Sequence, residues 1–463
     1  TRKGGIEHWG FVPSEFFGRL KRLRDNDVDI LTTPKPYFVD GPIGVYQLDS
    51  NNDGKLVTAD GDKVQLFMAM RRGGRLLYAL DVSTPTAPTF MWKKSNASTG
   101  YGELGQTWST PKPAKIHATS NPVLIMGAGY DAAQEDVMPQ GTPTMGRGVM
   151  VVDATNGTVL WQVGRAPSGA TLGNVTKSTM THSIAAEMMV LDRDFDGYAD
   201  RVYAADTAGN IWRLDIDDAD PANWTVKKIA TLGGSGANAR KFLFAPDVIY
   251  GDSPSGSQPY DAILIGSGDR EHPFDTTVTN RFYMLKDTNM GKSVDASWTA
   301  ITEAALYDTT SNIIQEGTDA EQLAARTALN AARGWYVTLA SGEKVVGGAV
   351  TLNGTVFFGT NRPSSVSGGA CNNLGEAKLY ALNFGDGSAT TEQCSANGGD
   401  TLGACDRSQT IPGGGFPPSP TPVVTIIDGQ PREGVVTGTH VQEPPSSELG
   451  LRRRIYWHQN IDK

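Results

Sequence analysis

Asp192, Asp194, Asp196 and Asp200 crowd into the stretch "DRDFDGYAD", with Gly197 in its middle. They occupy positions one, three, five and nine of a DxDxDGxxD pattern. Carboxylates at alternate positions of a tight loop converge on one point. Left to themselves, like charges this close repel by roughly several kcal/mol in total. The chemistry that resolves the conflict is capture of a hard cation. Calcium takes about six to eight oxygens at about 2.3–2.6 Å from a loop that wraps around it. In this reading Asp192, Asp194 and Asp196 point inward, Gly197 permits the sharp turn, Tyr198 supplies its backbone carbonyl and Asp200 closes the loop. Magnesium suits the pattern less, because it keeps more of its waters. A solvated acidic turn is the plain alternative. The loop is expected to be loose when empty and rigid when filled.

A second stretch, "DSNNDGKLVTAD", repeats the theme. Asp49, Asn51, Asp53, the Lys55 carbonyl and Asp60 fit the ligand positions of a twelve-residue calcium loop, with Gly54 at the turn. One carboxylate is replaced by Asn51, a lysine stands nearby, and Asp60 is shorter than the usual glutamate. Weaker binding is expected, or a simple hairpin turn at "NNDG". A third segment in a comparable place, 247–266, lacks the ligands.

Both loops precede strand-like runs, and those runs recur. The pairs are "VQLFMAMRRGGRLLYALD", "NPVLIMGAGYD" with "RGVMVVDATNGTVLWQV", "RVYAADTAGNIWRLD", "AILIGSGDREHP" with "RFYMLKD", and "TVFFGTNRP" with "KLYALNFGDG". Alternating apolar and small residues suit strands packed face to face. "TNGT" and "TAGN" are hairpin turns, followed by Trp161 and Trp212. Such units arranged radially make a β-propeller. Weaker units are expected before Lys55 and near 410–460, and irregular spacing implies large insertions. A pair of β-sandwiches is the alternative. Two helices look like additions. One spans about 13–26, with Ser14 as N-cap and an apolar face of Phe16 or Phe17, Leu20 and Leu23. The other spans about 318–334, starting at Thr318 or Asp319 and stopping at Gly334.

The whole chain, 1–463, reads as one all-β domain. With a net charge of -9, nucleic acid is a poor partner. No apolar run is long enough for a transmembrane helix. The chain starts at Thr1 without a leader, as an excised or processed piece would. Cys371, Cys394 and Cys405 cluster late, without zinc-site spacing, so one disulfide and one leftover thiol are expected in an oxidising compartment. The pairing is not readable. None of the six histidines shows a metal-ligand spacing. His182 beside Ser183 is adjacency rather than a triad. In "GSGDREHP", Asp269, Arg270 and Glu271 are expected to fix a loop by ion pairs rather than to act as acid and base.

Several stretches in order carry a resemblance. They include "RGGRLLYALDVS", "LGQTWSTPKPAKI", "MVVDATNGTVLW", "DRDFDGYADRVYAADTAGNIWRLDI", "EKVVGGAVTLNGTVFFGTNRP", "GEAKLYALNFGDG", "GGGFPPSP" and "RRRIYWH". Over nearly its whole length the chain resembles the C-terminal domain of the PilY/PilC family of type IV pilus biogenesis factors. The resemblance implies a modified seven-bladed β-propeller, related in fold to quinoprotein dehydrogenases. It implies one Ca2+, held by Asp192, Asp194, Asp196, the Tyr198 carbonyl and Asp200. It implies a non-enzymatic protein exported through the periplasm to the cell surface, the pilus tip or the outer membrane. Minor pilins or other pilus components would be its partners, with a host or surface receptor as a further candidate. The implied roles are pilus assembly, opposition to retraction, twitching motility and adhesion. The family's variable N-terminal region is not matched in this chain. A quinone-dependent dehydrogenase on the same architecture is the competing function; it predicts a cofactor pocket on the propeller axis. The basic, aromatic tail 452–460 is expected to close the ring by strand pairing, or to add a strand to a pilin-like partner.

Overall fold

Period-two alternation decides which side of each strand meets which neighbour. Leu77 and Ala79 face one way and pack with Leu124, Met126 and Val152. Tyr78 and Leu80 face the other way, onto Phe16 and Met70. Repeated along the chain, this alternation stacks sheet on sheet. The computed structural model describes residues 7–25, 35–138, 140–252, 258–364, 374–394, 402–427 and 430–445. Among them are six sheets in chain order.

Sheet 1 holds Ile43–Leu48, Lys63–Ala69, Leu76–Asp81 and Thr89–Ser95 as an antiparallel meander. Sheet 2 runs from Lys112–Ile116 through Thr119–Gly127, Gly148–Asp153 and Val159–Gly164 to Gly173–Thr176. Sheet 3 holds Met189–Leu191, Arg201–Ala205, Asn210–Asp215 and Thr225–Thr231. In sheet 4, Asp247–Asp252, Pro259–Gly266 and Arg281–Asp287 are joined by Gly334–Thr338 and the short Tyr307–Asp308. Sheet 5 is built on Thr355–Arg362 and Glu376–Asn383, and sheet 6 is Thr421–Ile427, Gln430–Thr437 and His440–Gln442.

Each sheet shares one apolar cluster with the next. Trp161 of sheet 2 packs with Trp212 of sheet 3, Ile211 of sheet 3 with Ile263 of sheet 4, Phe282 of sheet 4 with Phe358 of sheet 5, and Leu379 of sheet 5 with Val435 of sheet 6. Successive meanders packed in this order are the radial arrangement of a propeller. Both tryptophans follow hairpin turns that need a left-handed residue, met by Gly157 at φ 71° and Gly209 at φ 78°.

Several details differ from expectation. Six sheets stand among the described residues against the seven blades expected, and the tail 452–460 lies outside them. The unit expected before Lys55 is the first strand of sheet 1, paired through Ile43↔Met68. The N-terminal helix is Phe17–Asp25, preceded by a 3-10 turn at Ser14–Phe16. Pro13, not Ser14, stands before that turn, and no side chain caps it. Only Phe16 of the expected apolar face is buried; Phe17, Leu20 and Leu23 are exposed, because the chain docks on sheet 1 through Phe16, Trp9 and Phe11 instead. Asn26 lies outside the described residues.

The second helix is Asp319–Ala331, with Thr318 as N-cap in a capping box with Glu321. Gly334 begins the next strand rather than capping the helix. Cys394 and Cys405 form the disulfide, and Cys371 lies outside the described residues. Cross-linking so short a loop removes roughly 3 kcal/mol of chain entropy from the unfolded ensemble.

Candidate metal centre

Leu191 and Arg201 are paired neighbours on adjacent strands of sheet 3, so the loop between them must turn back within a few residues. Aspartate side chains make that turn by accepting from the backbone. Asp192 Oδ1 accepts from Phe195 N–H at 2.7 Å and its Oδ2 from Gly197 N–H at 2.9 Å. Asp194 Oδ1 accepts from Asp196 N–H at 3.2 Å, and Asp196 Oδ1 from Tyr198 N–H at 2.8 Å. Asp200 Oδ2 accepts from Arg193 N–H at 2.6 Å and closes the loop on its own start.

These bonds bring carboxylate oxygens of Asp192, Asp194 and Asp200 within 4.8 Å of one another. Asp200 is only 7% exposed, and its Oδ1 is buried with no hydrogen-bond partner. Burial raises the Asp200 pKa, against the Arg193 amide bond, and the charges of Asp194, Asp217 and Asp192 raise it further. An orphaned carboxylate oxygen amid like charges is what a cation would satisfy. The donor set is oxygen throughout and suits calcium.

Asp196 has a partner of its own. Its Oδ2 lies 3.1 Å from His117 Nε2, and the His117 ring stacks on Tyr198 with centroids 4.3 Å apart. His117 comes from the turn between the first two strands of sheet 2. Asp217 faces the same place, 3.8 Å from His117 and 2.6 Å from Lys292 Nζ. Sequence reasoning missed His117, Asp217 and Lys292. The run "DIDDAD" after sheet 3's third strand is the one local signal for Asp217.

Arg193 ties the loop to the next sheet. Its Nη1 donates to Asp261 Oδ2 at 2.5 Å, and Arg201 Nη1 reaches the same oxygen at 2.7 Å. Arg201 pairs with Asp215 at 2.9 Å, and Arg213 pairs with Asp215 and Asp287, each at 2.8 Å. Tyr203 O–H bridges Asp261 and Asp287. Asp215, Asp261 and Asp287 thus balance Arg193, Arg201 and Arg213. Buried ions matched this closely avoid the penalty of unpaired charge.

The loop in sheet 1 is built alike at its start. Asp49 Oδ2 accepts from Gly54 N–H at 2.8 Å, Asn51 Oδ1 from Asp53 N–H at 3.1 Å, and Asp53 Oδ1 from Lys55 N–H at 2.8 Å. Its closure differs from expectation. Asp62, not Asp60, takes the amide after the first aspartate: Ser50 N–H donates to Asp62 Oδ1 and Val57 N–H to its Oδ2, both at 2.7 Å. Asp60 ends the 3-10 turn Thr58–Asp60, and among the described residues its carboxylate accepts a 3.4 Å bond from Asn51 Nδ2. Among the described residues, carboxylates of Asp49, Asp53 and Asp60 do not gather within 4.8 Å as those of the other loop do.

Elsewhere, Asp269 pairs with Lys241 at 3.0 Å and His272 at 2.8 Å, and Glu271 pairs with Arg72, as expected for a loop fixed by ions. Arg270 forms no such pair among the described residues.

A family model for the PilY1 β-propeller domain matches residues 4–254. The chain is 28% identical over 214 residues to the type IV pilus biogenesis factor PilY1 of Pseudomonas aeruginosa, covering 46% of this chain and 16% of that protein. It is 24% identical over 438 residues to a PilY1 homolog of Xylella fastidiosa, covering 89% of this chain and 27% of that protein. The chain therefore spans a minor part of the length of the curated relatives it matches. The crystal structure of the P. aeruginosa PilY1 C-terminal domain superposes with a TM-score of 0.65 at 16% identity, over 95% of this chain and 88% of that one. No helix among the described residues is long and apolar enough to cross a membrane.

Proposed function

Because this chain belongs to the PilY1 β-propeller family, we propose that it is a non-enzymatic, calcium-binding domain that serves type IV pilus biogenesis at the cell surface. The observation that carries the calcium reading is Asp200 Oδ1, buried and unpartnered beside Asp192 and Asp194. A bound cation supplies positive charge and empty coordination positions. Asp192, Asp194 and Asp200 provide carboxylates, the Tyr198 carbonyl lies in the same turn, and Asp196 turns from His117 to complete the set. Arg193 N–H holds Asp200 in place. Filling the loop neutralises its mutual repulsion and fixes the rim of sheet 3.

In this reading the domain reaches the pilus tip or outer membrane through the periplasm. It engages minor pilins or other pilus components, supports assembly, opposes retraction, and contributes to twitching motility and adhesion to a host or other surface. The relatives named for pilus biogenesis support that role. The ionisable residues Arg72, Asp136, Lys241, Asp269 and Glu271, drawn from successive parts of the propeller, are paired with one another, which fits ion pairs that hold loops together better than the acid and base of a dehydrogenase.

The test combines calorimetry and genetics. Calcium added to metal-free protein should bind one ion per chain. Asp200→Ala, placed in the full-length protein of a piliated bacterium, should abolish that binding and reduce surface piliation. Full binding by the variant overturns the metal assignment; loss of binding with unchanged piliation overturns the link to pilus assembly.

A further inference from the structure

The ion pairs where sheets 1, 2 and 4 meet leave two arginines out. Arg72 bridges Asp136, at 2.7 Å, and Glu271. Tyr130 O–H also donates to Asp136 at 3.0 Å. Arg71 immediately precedes one partner of the Arg72–Glu271 bridge and Arg270 the other, so the bridge brings the two segments together, close enough for the charge of Arg71 to act on Arg270. Neither has a carboxylate within ion-pair distance among the described residues. Arg71 Nε is buried with no hydrogen-bond partner. Arg270 donates one long bond, 3.5 Å, to the Val346 carbonyl. Burial and the charge of Arg71 lower the Arg270 pKa, while Glu271 and Asp40 offset this.

Aromatic rings wall the pair. The Trp108 indole lies 5.8 Å from the Arg71 guanidinium and 5.3 Å from that of Arg72, and the Phe416 ring lies 5.3 Å from Arg270. Phe416 is 39% exposed, so this wall is open to solvent. The backbone adds an independent sign. Arg71 sits at φ 46°, in the left-handed region that residues with a Cβ disfavour. Strain held at a residue whose guanidinium rests on a ring face, with Nε left without a hydrogen bond, points to use of that side chain. In a chain with net charge -9, acidic groups are plentiful, and Glu271 and Asp40 lie near enough to act on Arg270, yet among the described residues none forms an ion pair with Arg71 or Arg270.

We propose that Arg71 and Arg270 form a carboxylate-binding site, walled by Trp108 and Phe416, that takes an acidic segment of a partner protein. Planar guanidinium forks match carboxylates two bonds at a time, and the ring faces hold the forks in plane. The site lies apart from the calcium loop and does not depend on it. An Asp- or Glu-bearing strand, or a chain terminus, supplies the required group; a small polycarboxylate shares the chemistry and is separated by experiment.

Isothermal titration of the full chain with acetylated tetraglutamate, and separately with citrate, tests this. Tetraglutamate should bind one to one, with citrate at least tenfold weaker. Arg71→Gln and Arg270→Gln should each weaken the peptide tenfold or more. Arg71→Gly should lose binding equally, yet melt at the same or a higher temperature, because glycine relieves the left-handed strain. A melting temperature lowered by Arg71→Gly assigns Arg71 a structural role and overturns the proposal. So does absence of tetraglutamate binding at millimolar concentration, or binding that survives both glutamine variants. Citrate binding as tightly as the peptide overturns the partner-protein assignment.

Discussion

The loops 49–62 and 192–200 begin alike and finish differently. Each folds its first aspartate over the amide of a glycine five residues on, Gly54 in one and Gly197 in the other. Each places its fourth residue in the left-handed region, Asn52 at φ 57° and Phe195 at φ 64°. Each closes with an aspartate that takes the amide following the first, from Ser50 or from Arg193. In the sheet 1 loop, both oxygens of the closing Asp62 are occupied by amides. In the sheet 3 loop, one oxygen of Asp200 is left over. The backbone uses both oxygens of the closing residue in the first loop and leaves one free in the second. If the second loop binds the proposed ion, what sets it apart is the number of acceptors the backbone leaves unused, not the number of aspartates.

The contrast can be broken most directly at the closing residues. If calcium binds as proposed, the intact protein should gain about 2.7 kcal/mol at a hundredfold excess over Kd, and Asp200→Ala should erase that gain. Asp62→Ala should weaken the fold equally with calcium or chelator. Thermal melts of both variants in the two conditions decide; a calcium response lost in Asp62→Ala would place a second ion in the sheet 1 loop. Next come the residues after the first aspartate. Arg193→Ala removes a charged hydrogen bond to Asp261, although Arg201 still holds that carboxylate, and should cost about 2 kcal/mol in urea unfolding. Ser50→Ala removes a 3.1 Å bond to the Gly61 carbonyl and a minor side-chain contact with Asp62 at an exposed position and should cost about 0.5 kcal/mol.

Smaller again is the left-handed position. Phe195→Gly should stabilise the metal-free protein by about 1 kcal/mol, since a Cβ is disfavoured there. Asn52→Gly should change stability by a few tenths, asparagine being at home in that region. The subtlest contrast is in pH. The amides of Val57 and Ser50 lower the Asp62 pKa, so its contribution is present above the unfolded value of 3.8 and fades as pH falls through the folded one. Burial raises the Asp200 pKa, so in metal-free protein stability falls as pH rises from 3.8 through the folded value. Carboxyl carbon titration by NMR in chelator should give a midpoint below 3.8 for Asp62 and above 3.8 for Asp200.

How much of this was legible depended on distance along the chain. DxDxDGxxD is local, and the turn chemistry that positions Asp192, Asp194 and Asp200 follows from neighbours a few residues apart. The sheet 1 loop misleads because the 3-10 turn Thr58–Asp60 inserts extra residues, so that counting to position twelve lands on Asp60 while the hydrogen bonds select Asp62. His117 reaches Asp196 from another sheet, and no spacing rule connects them. The Cys394–Cys405 pairing likewise needed proximity, not order. Strand alternation revealed the repeating units, yet it could not tell a blade's opening strand, Ile43–Leu48, from a separate blade. Phe16, Phe17, Leu20 and Leu23 have helical spacing, but only docking against Tyr78 and Met70 decides that Phe16 alone is covered.

The shared charges of sheets 3 and 4 bear on how the molecule comes apart. Arg201, Arg213 and Asp215 belong to one sheet, Asp261 and Asp287 to the other, and separating them strands ions of both signs in an oily cleft. The two sheets should therefore open together as one unit. Amide protons in Arg201–Ala205 and Pro259–Gly266 should exchange with solvent at one common opening free energy, so a fracture of this ring under tension runs elsewhere.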